Sequence, residues 1–386
     1  MITIQNADAA LKDYYLDAVN SQLNEGISPF FTAIEKGTDF VYGKDVKLSV
    51  VRGYSGNVAA GTEDGDLPDP LRSRYVNITM PLKNIYGTIE ISDKALRASR
   101  DSSGAFVNLL DAELDGLIFN ARHNFQRMLF GDGTGKLFTI TEKIYPKVYK
   151  ADIVKEYFTG MIVTVETAMG ATASGGARTT ILRVDVNAGT VTFSDEITDT
   201  VTNGAVYAYG SKDNELTGLG AIFDSSALYV NYKDSDTYFK PYKVDAGGSL
   251  TEGALSDMID HMEENFNSKV NIILCSYKTR RKIASLIDAN RRVVNSIDSR
   301  TGYGAVTVNN VPVYADKYCP DDRILFLNTD DFALYQLCDW EWLEDEDGKI
   351  LKQIPGKAAY SATLVKYAEL ICKKPCGQAM LYNFES

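Results

Sequence analysis

Apolar residues recur three and four positions apart through residues 102–130, the spacing that gathers them on one face of an α-helix. At about 1.5 Å per residue, such a helix would be roughly 40 Å long. Asp111, Glu113 and Asp115 fall in its first half and Arg127 lies near its end, an order that the helix dipole favours. The sequence therefore predicts one long amphipathic helix in this segment.

The sequence FGDGTG at 130–135 has glycine at alternate positions and could cradle a phosphate. Phosphate-binding loops precede a helix N-terminus, where unpaired N–H groups meet the anion. These glycines instead follow a helix C-terminus, Asp132 adds negative charge, and the G-x-x-x-x-G-K-[ST] pattern of P-loops is absent from the sequence. We therefore expect the glycines to end the helix, with Gly131 in the left-handed conformation.

The composition narrows the classes of function. The 386 residues carry a formal net charge of −12 and show no basic face for gripping duplex DNA, although a negative protein can still enclose DNA. No apolar run in the sequence approaches the roughly 18 residues of a membrane span, and the N-terminus does not read as a secretory signal. Five scattered cysteines predict reduced thiols. His123 and His261 lie far apart, which argues against a His-based metal site or catalytic triad. We expect no metal, cofactor or catalytic residue in this chain.

Residues 45–91 predict a long two-stranded hairpin. Apolar residues alternate through 46–50 and again through 75–82, and a glycine- and proline-rich acidic tip separates the two runs. A lone hairpin is marginal in water, so its apolar stripe must be covered. Packing on its own domain is one interpretation, but the length of the tip favours a neighbouring subunit. The candidate contact residues are Arg52, Tyr54, Glu63, Asp66, Arg72, Arg74 and Lys83.

The remaining segments differ in character. Residues 1–44 predict a short helix followed by an extended arm. Residues 137–213 contain short β-rich runs and tight turns, which predict a small antiparallel barrel or sheet inserted into the host domain. Residues 249–315 alternate helix and strand, with a capping box at Ser249 and Glu252, and the tail is rich in strands.

Two acidic segments raise other possibilities. Asp345, Asp347 and Gly348 echo the spacing of a calcium loop, but no glutamate closes the loop and strands flank it, so a turn is the better interpretation. Clustered acids such as Glu63 and Asp66, together with the glycine run, could belong to an acidic hydrolase or a nucleotide enzyme. The polarity of the long helix argues against such an enzyme, as does the lack of a visible nucleophile–base pair in the sequence.

The order of the segments carries a resemblance. It rests on DLPDPLRSRYVNITMPLKNIYGTIEISDKAL at 66–96, the helix into FGDGTG, LTGLGAIFD at 216–224, and the tail sequences WLEDEDGKIL and LICKKPCGQAML. In this order, the chain resembles the major capsid proteins of tailed double-stranded-DNA bacteriophages, which have the Hong Kong 97-like fold that encapsulins share. The β-rich block between FGDGTG and LTGLG departs from the plain family form and is interpreted as an insertion.

The resemblance implies an α+β protein with a defined division of the chain. The implied parts are an N-terminal arm (1–44), an extended β-hairpin loop or E-loop (45–91), a peripheral domain with a spine helix (92–136), an inserted β-rich domain (137–213), the continued peripheral domain (214–250), an axial domain (251–340), and peripheral-domain strands with the C-terminal return (341–386).

The resemblance also implies a structural, non-enzymatic function. Copies would form hexamers and pentamers and close into an icosahedral shell around a phage double-stranded-DNA genome; an encapsulin-like compartment is the alternative. The shell would be assembled in the bacterial host cytoplasm and retained in the virion, with no membrane association and no sequence-specific DNA binding.

Partners of such a shell follow from the same resemblance. A scaffolding protein and a portal are expected, with a decoration protein as a further candidate. Because the sequence begins at the arm, a separate scaffolding protein is favoured over a segment removed from this chain. Some members of the family weld subunits through a Lys–Asn isopeptide bond, but the position of Lys83 gives no sequence basis for one in this chain.

Overall fold

The computed structural model describes residues 28–53, 58, 60, 62–63, 72–94, 103–224, 237–290, 306–345 and 348–384, with only the backbone at 103–112 and 288–290. The helix predicted within 1–44 and most of the hairpin tip, including Tyr54 and Asp66, lie outside these residues. The chain divides into two compact units, one made of 1–114 with 222–386 and the other of 115–221.

The described residues form five α-helices, three open sheets and one closed barrel. The helices are α1 Pro29–Ala33, α2 Ser103–Phe130, α3 Leu219–Asp224, α4 Glu252–Phe266 and α5 Tyr277–Asn290. The strands are β1 Glu35–Gly37, β2 Val41–Tyr42, β3 Asp45–Gly53, β4 Arg74–Pro81, β5 Lys83–Ser92, β6 Lys136–Tyr145, β7 Val148–Ala151, β8 Ile162–Val165, β9 Thr179–Asp185, β10 Thr190–Phe193, β11 Gly204–Ala208, β12 Tyr242–Gly248, β13 Ile272–Cys275, β14 Thr307–Val308, β15 Val311–Ala315, β16 Arg323–Leu327, β17 Phe332–Trp342, β18 Lys352–Gln353, β19 Ala359–Cys372 and β20 Ala379–Phe384.

The long helix predicted from the apolar spacing is confirmed. Helix α2 spans 28 residues and begins one residue later than predicted. Leu114, Leu117, Phe125 and Leu129 are buried, as expected for one apolar face. Among the described residues, no helix is long and apolar enough to cross a membrane.

The expectation that Gly131 takes a left-handed conformation is wrong. Its N–H donates to the Met128 carbonyl at 3.1 Å, which tightens the last turn of α2 and satisfies one of the terminal carbonyls. Positive φ values occur two and four residues later, at Gly133 (83°) and Gly135 (78°). The helix stop predicted from the glycine run is therefore confirmed, but the left-handed residues lie further along the loop.

The first open sheet, called sheet A, is centred on β19. Its strand order is β1-β17-β19-β18, and β5 also pairs with β19. The 14-residue β19 is antiparallel to β17 through residues 364–372 and to β5 through residues 359–368. Strand β4 returns from the hairpin, and the next strand, β5, is therefore part of sheet A in the same chain.

The second open sheet has the order β12-β20-β16-β13-β15-β14. It is called the axial sheet because four of its six strands lie in the segment 251–340 that the sequence predicts to be the axial domain. One face of α4, with Leu255, Met258 and Met262, is buried in a single core with Ile273 and Phe326 of the sheet. The alternation of helix and strand predicted for this region is confirmed.

The cap and turn signals in the sequence of this region agree with the structure, with one exception. The predicted cap at Ser249 is wrong, because α4 begins at Glu252 and Thr251 is its N-cap, whose Oγ1 accepts a hydrogen bond from the Ala254 N–H at 3.1 Å. The predicted turn at Asn309–Asn310 is confirmed, since both asparagines have positive φ between the paired strands β14 and β15.

The inserted segment is a closed antiparallel barrel with the strand order β10-β7-β6-β11-β8-β9. Its interior contains Phe138, Tyr149, Phe158, Ile181 and Phe193, all almost completely buried. The tight turn predicted between β9 and β10 is also present, because the Asp185 carboxylate accepts hydrogen bonds from the N–H groups of Asn187 and Ala188. The barrel therefore has its own hydrophobic core within the unit 115–221.

Candidate inter-subunit surface

The stem of the predicted hairpin is formed by β3 and β4, with β2 on the outer side of β3. Val46 lies opposite Met80 and Leu48 lies opposite Ile78, and all four side chains are at most 8% exposed. The base of the stripe is thus buried by the chain itself. The expectation that a neighbouring subunit covers the stripe is wrong for these four residues.

The cover at the hairpin base includes contacts with sheet A. Strand β2 lies against β17, and the rings of Phe40 and Tyr335 meet edge to face with centroids 6.4 Å apart. The Lys47 N–H donates to the Phe40 carbonyl at 3.1 Å. These contacts anchor the base of the stem.

The far end of the stem presents cationic and aromatic side chains. Arg52 and Arg74 are exposed on adjacent strands, where Arg74 is paired with Gly53. Tyr75 is 65% exposed and lies opposite Val51. The structure therefore brings two of the predicted contact residues together on one end of the hairpin.

The other predicted contact residues are placed differently. Glu63 and Arg72 are exposed, whereas Lys83 is half-buried at the start of β5 and is paired with Ala368 in sheet A. Lys83 is thus separated from the stem end by the length of β4. The roles of all these residues in subunit contacts remain predictions.

The sequence does not predict a buried ion pair that lies where the chain enters and leaves the barrel. Arg127, near the end of α2, donates to both Glu215 carboxylate oxygens at 2.8 and 2.5 Å. The two side chains are only 10% and 2% exposed. A bidentate pair of this kind fixes the angle between the two chain segments that enter and leave the barrel.

Close backbone contacts where the chain enters and leaves the barrel explain why FGDGTG and LTGLG contain glycine. A Cβ on Gly218 would lie 2.3 Å from the Met128 carbonyl oxygen, and a Cβ on Gly135 would lie 2.5 Å from the Ser211 carbonyl oxygen. Only glycine allows the backbones to approach this closely. The glycine run that suggested a phosphate cradle therefore packs the entry to the barrel against its exit.

Comparison with known proteins identifies this arrangement. The family model of the SU10 major capsid protein matches residues 174–349, from the barrel to the turn after β17. The cyanophage A-1(L) capsid asymmetric unit superposes with a TM-score of 0.52 and 11% identity, over 92% of this chain and 91% of that chain. The capsid of the native GTA particle gives 0.52 and 11% identity, over 95% of this chain and 91% of that chain. The fold is that of a phage major capsid protein.

Other comparisons bear on the same fold. The capsid of the empty GTA particle superposes with a TM-score of 0.51 and 12% identity, over 92% of this chain and 89% of that chain. No curated protein sequence matches the chain. The predicted resemblance to tailed-phage major capsid proteins, with the Hong Kong 97-like α+β fold and an inserted β domain, is confirmed.

Within this major capsid protein fold, two connections join the axial sheet to sheet A. Residues 328–331 lead from β16 to β17, and residues 373–378 lead from β19 back to β20. Asp331 ties them together: its carbonyl accepts from the Lys373 N–H at 2.7 Å, and its carboxylate accepts from Gln378 Nε2 at 3.0 Å. Burial raises the pKa of Asp331 to about 6, against the lowering effect of Lys374.

We expect Asp331→Asn to stabilise the subunit at pH 7. The folded-state pKa of about 6 lies above the ordinary value of 3.8, so ionised Asp331 costs stability above pH 6, and that cost disappears as the pH falls to 3.8. The shift corresponds to at most about 3 kcal/mol, and solvent screening at this partly exposed group reduces the effect to about 1–2 kcal/mol. Urea denaturation at pH 7 and pH 4.5 measures it; a variant with the wild-type pH dependence would contradict the assignment.

A second charged group is buried in sheet A. The side chain of Lys366 is 1% exposed, forms an ion pair with Asp339, and donates to Gln336 Oε1 at 2.9 Å. Burial lowers the pKa of Lys366, and Asp339 partly offsets this effect. The Asp339 side chain is 42% exposed, so the two members of the pair differ greatly in their access to water.

We expect Asp339→Ala to destabilise the subunit by about 2–3 kcal/mol, because it leaves the buried ammonium group without its counter-ion. Lys366→Met should cost less, since the remaining carboxylate reaches solvent. The loss in Asp339→Ala should shrink as the pH rises toward 10.5, where the buried lysine becomes neutral. Denaturation of both variants and their double mutant tests this order, and equal losses at all pH values would refute it.

Proposed function

We propose that this chain is the major capsid protein of a tailed phage, and that its copies form hexamers and pentamers that close into an icosahedral shell around double-stranded DNA. The observation that carries the proposal is the match of residues 174–349 to the SU10 major capsid protein family, on a chain whose fold matches a capsid structure over 92% of its length. The function is structural, and the protein resides in the virion.

The division of labour within the subunit follows the same proposal. The β3–β4 hairpin serves as the extended loop, α2 as the spine helix, and the axial sheet with α4 and α5 as the part that meets its copies around the capsomer axis. The anchored base and the exposed end with Arg52 and Arg74 support a role for the hairpin in reaching a neighbour. The barrel is an elaboration between spine helix and axial domain.

Charge and partners belong to the proposal as well. A net charge of −12 is compatible with a wall that encloses DNA and does not bind it tightly. The shell would be assembled in the host cytoplasm with a scaffolding protein and a portal, and a decoration protein is a further candidate partner. No residue is assigned a catalytic role.

The direct test is expression of the chain, alone and with the scaffolding and portal proteins encoded beside it, followed by negative-stain electron microscopy. Closed particles of uniform size are expected. A compact monomer under every condition would refute the proposal. Particles that package a neighbouring enzyme and exclude DNA would instead indicate an encapsulin-like compartment.

A further inference from the structure

One face of sheet A exposes large apolar side chains beside buried ones. Tyr86 of β5, Val365 of β19 and Glu341 of β17 lie side by side in the strand register. Tyr86 is 57% exposed, and its ring meets that of Tyr367 edge to face with centroids 6.3 Å apart. Leu343, at the end of the same face, is 40% exposed. The face therefore combines aromatic and aliphatic surface with a carboxylate.

A cleft of about 450 Å³ opens at this face. Its lining includes Glu341, Leu343, Glu344, Ile350, Val365 and Tyr367. Ile350 and Val365 are buried, whereas both glutamates are exposed. An apolar floor beneath carboxylates suits a side chain with an aliphatic stem and a cationic head, and a tyrosine ring at the wall suits a planar guanidinium.

The local charge also points to a cationic ligand at this cleft. The sequence EWLEDED at 341–347 places five acidic residues among seven, so the local field attracts cations. A basic protein segment lying across the cleft would match this field, because its side chains neutralise the acids.

The end of the hairpin stem has the complementary chemistry. Arg52 and Arg74 are exposed there beside the exposed ring of Tyr75. Arg52 lies seven residues beyond Asp45 at the anchored base, which at about 3.3 Å per residue carries it roughly 23 Å away. This distance gives the two guanidinium groups the reach to contact another copy of the chain.

We propose that the cleft at the end of β17 receives the Arg52–Arg74 end of the hairpin from an adjacent copy, with Glu341 and Glu344 as the acceptors. This inference rests on the proposed function and adds to it the acceptor site of the hairpin. The charged pairs fix which part of the neighbour is contacted, and the aromatic and aliphatic side chains supply the apolar contact area.

A charge exchange tests the inference. The variants are Arg52→Glu with Arg74→Glu, Glu341→Arg with Glu344→Arg, and all four substitutions together. Each reversed pair alone should lower the yield of closed particles at least about tenfold, because like charges then face each other. The fourfold variant should restore assembly. Lys47→Glu, an exposed cation near the stem base, is the matched control and should assemble normally.

Each result of this experiment decides the inference. Circular dichroism first verifies that the exposed substitutions leave the subunits folded. If the wild-type chain assembles but the fourfold variant does not, or if Lys47→Glu fails as severely as the reversed pairs, the inference is overturned. If the wild-type chain forms no particles under any condition, the proposed function itself fails.

Cross-linking distinguishes a contact between neighbouring copies from a contact within one chain. Arg52→Cys and Glu341→Cys are introduced into a Cys338→Ser background, since Cys338 lies close to Glu341 on β17 and is partly exposed. Assembled particles are treated with a short bis-maleimide and denatured. A ladder of dimers and larger species is expected. Bridging confined to monomers, or no bridging, would overturn the inference.

Discussion

Deletion of residues 56–70 is expected to leave a folded subunit that does not form stable shells. The stem should survive, because Gly53 lies opposite Arg74 and the five residues left between them suffice for a hairpin loop. What is lost is most of the predicted tip, the part of the hairpin that is proposed to reach a neighbour. Obligate interfaces commonly bury more than about 2,000 Å², and every copy in a shell would lose the same share of that area.

The measurement combines circular dichroism of the subunit with electron microscopy of the assembly reaction. Native-like spectra and a thermal midpoint close to that of the wild type are expected, together with few or no closed particles. Replacement of residues 56–70 by a glycine–serine linker of equal length is the matched control, because it restores the length of the loop without its native side chains. Shells of normal stability from the deletion would remove the role proposed for the tip.

The features that the sequence predicted correctly depend on short-range signals. Helix α2 follows from a three-and-four spacing that extends over its whole length, and the Asn309–Asn310 turn follows from two residues that tolerate positive φ. The barrel follows from short alternating runs separated by turn residues. In each case, the residues that determine the structure lie within a few positions of one another.

The features that the sequence missed depend on residues far apart in the chain. Burial of Val46 and Ile78 at the hairpin base depends on cover from elsewhere in the fold, which alternation alone does not reveal. The sequence predicted a turn at Asp345, Asp347 and Gly348, and the Asp345 carbonyl does accept from the Gly348 N–H at 2.8 Å. The position of Glu341 and Glu344 beside a cleft depends on the pairing of β17 with β19, which the local pattern does not specify.

The Arg127–Glu215 pair is the clearest example, because 88 positions separate its members. Arg127 had a sufficient local explanation as a basic residue near a helix C-terminus, and nothing around Glu215 marked it as buried. A signal was nevertheless present: glycine-rich segments flank the β-rich insertion at both of its ends. Two such segments indicate close backbone packing where an insertion leaves and rejoins its host.

We expect Glu215→Ala to destabilise the unit 115–221 by about 3–5 kcal/mol, because it leaves the guanidinium of Arg127 buried without its carboxylate. Arg127→Met should cost a similar amount, since Glu215 is then the uncompensated charge. The barrel has its own core, so the weakest point should be the junction and not the barrel interior. Limited proteolysis should therefore cut first near 131–136 and 211–217.

The double variant Arg127→Met with Glu215→Leu distinguishes a net stabilising pair from one that is costly only when broken. Arg127 Nε has no hydrogen-bond partner among the described residues, so the desolvation of this guanidinium is incompletely compensated. Apolar side chains of similar volume should consequently recover most of the stability lost by either single change. Chemical denaturation of this variant and of its two single changes, Arg127→Met and Glu215→Leu, measures the coupling. Additive losses would mean that the two charges act independently, contrary to the bidentate geometry.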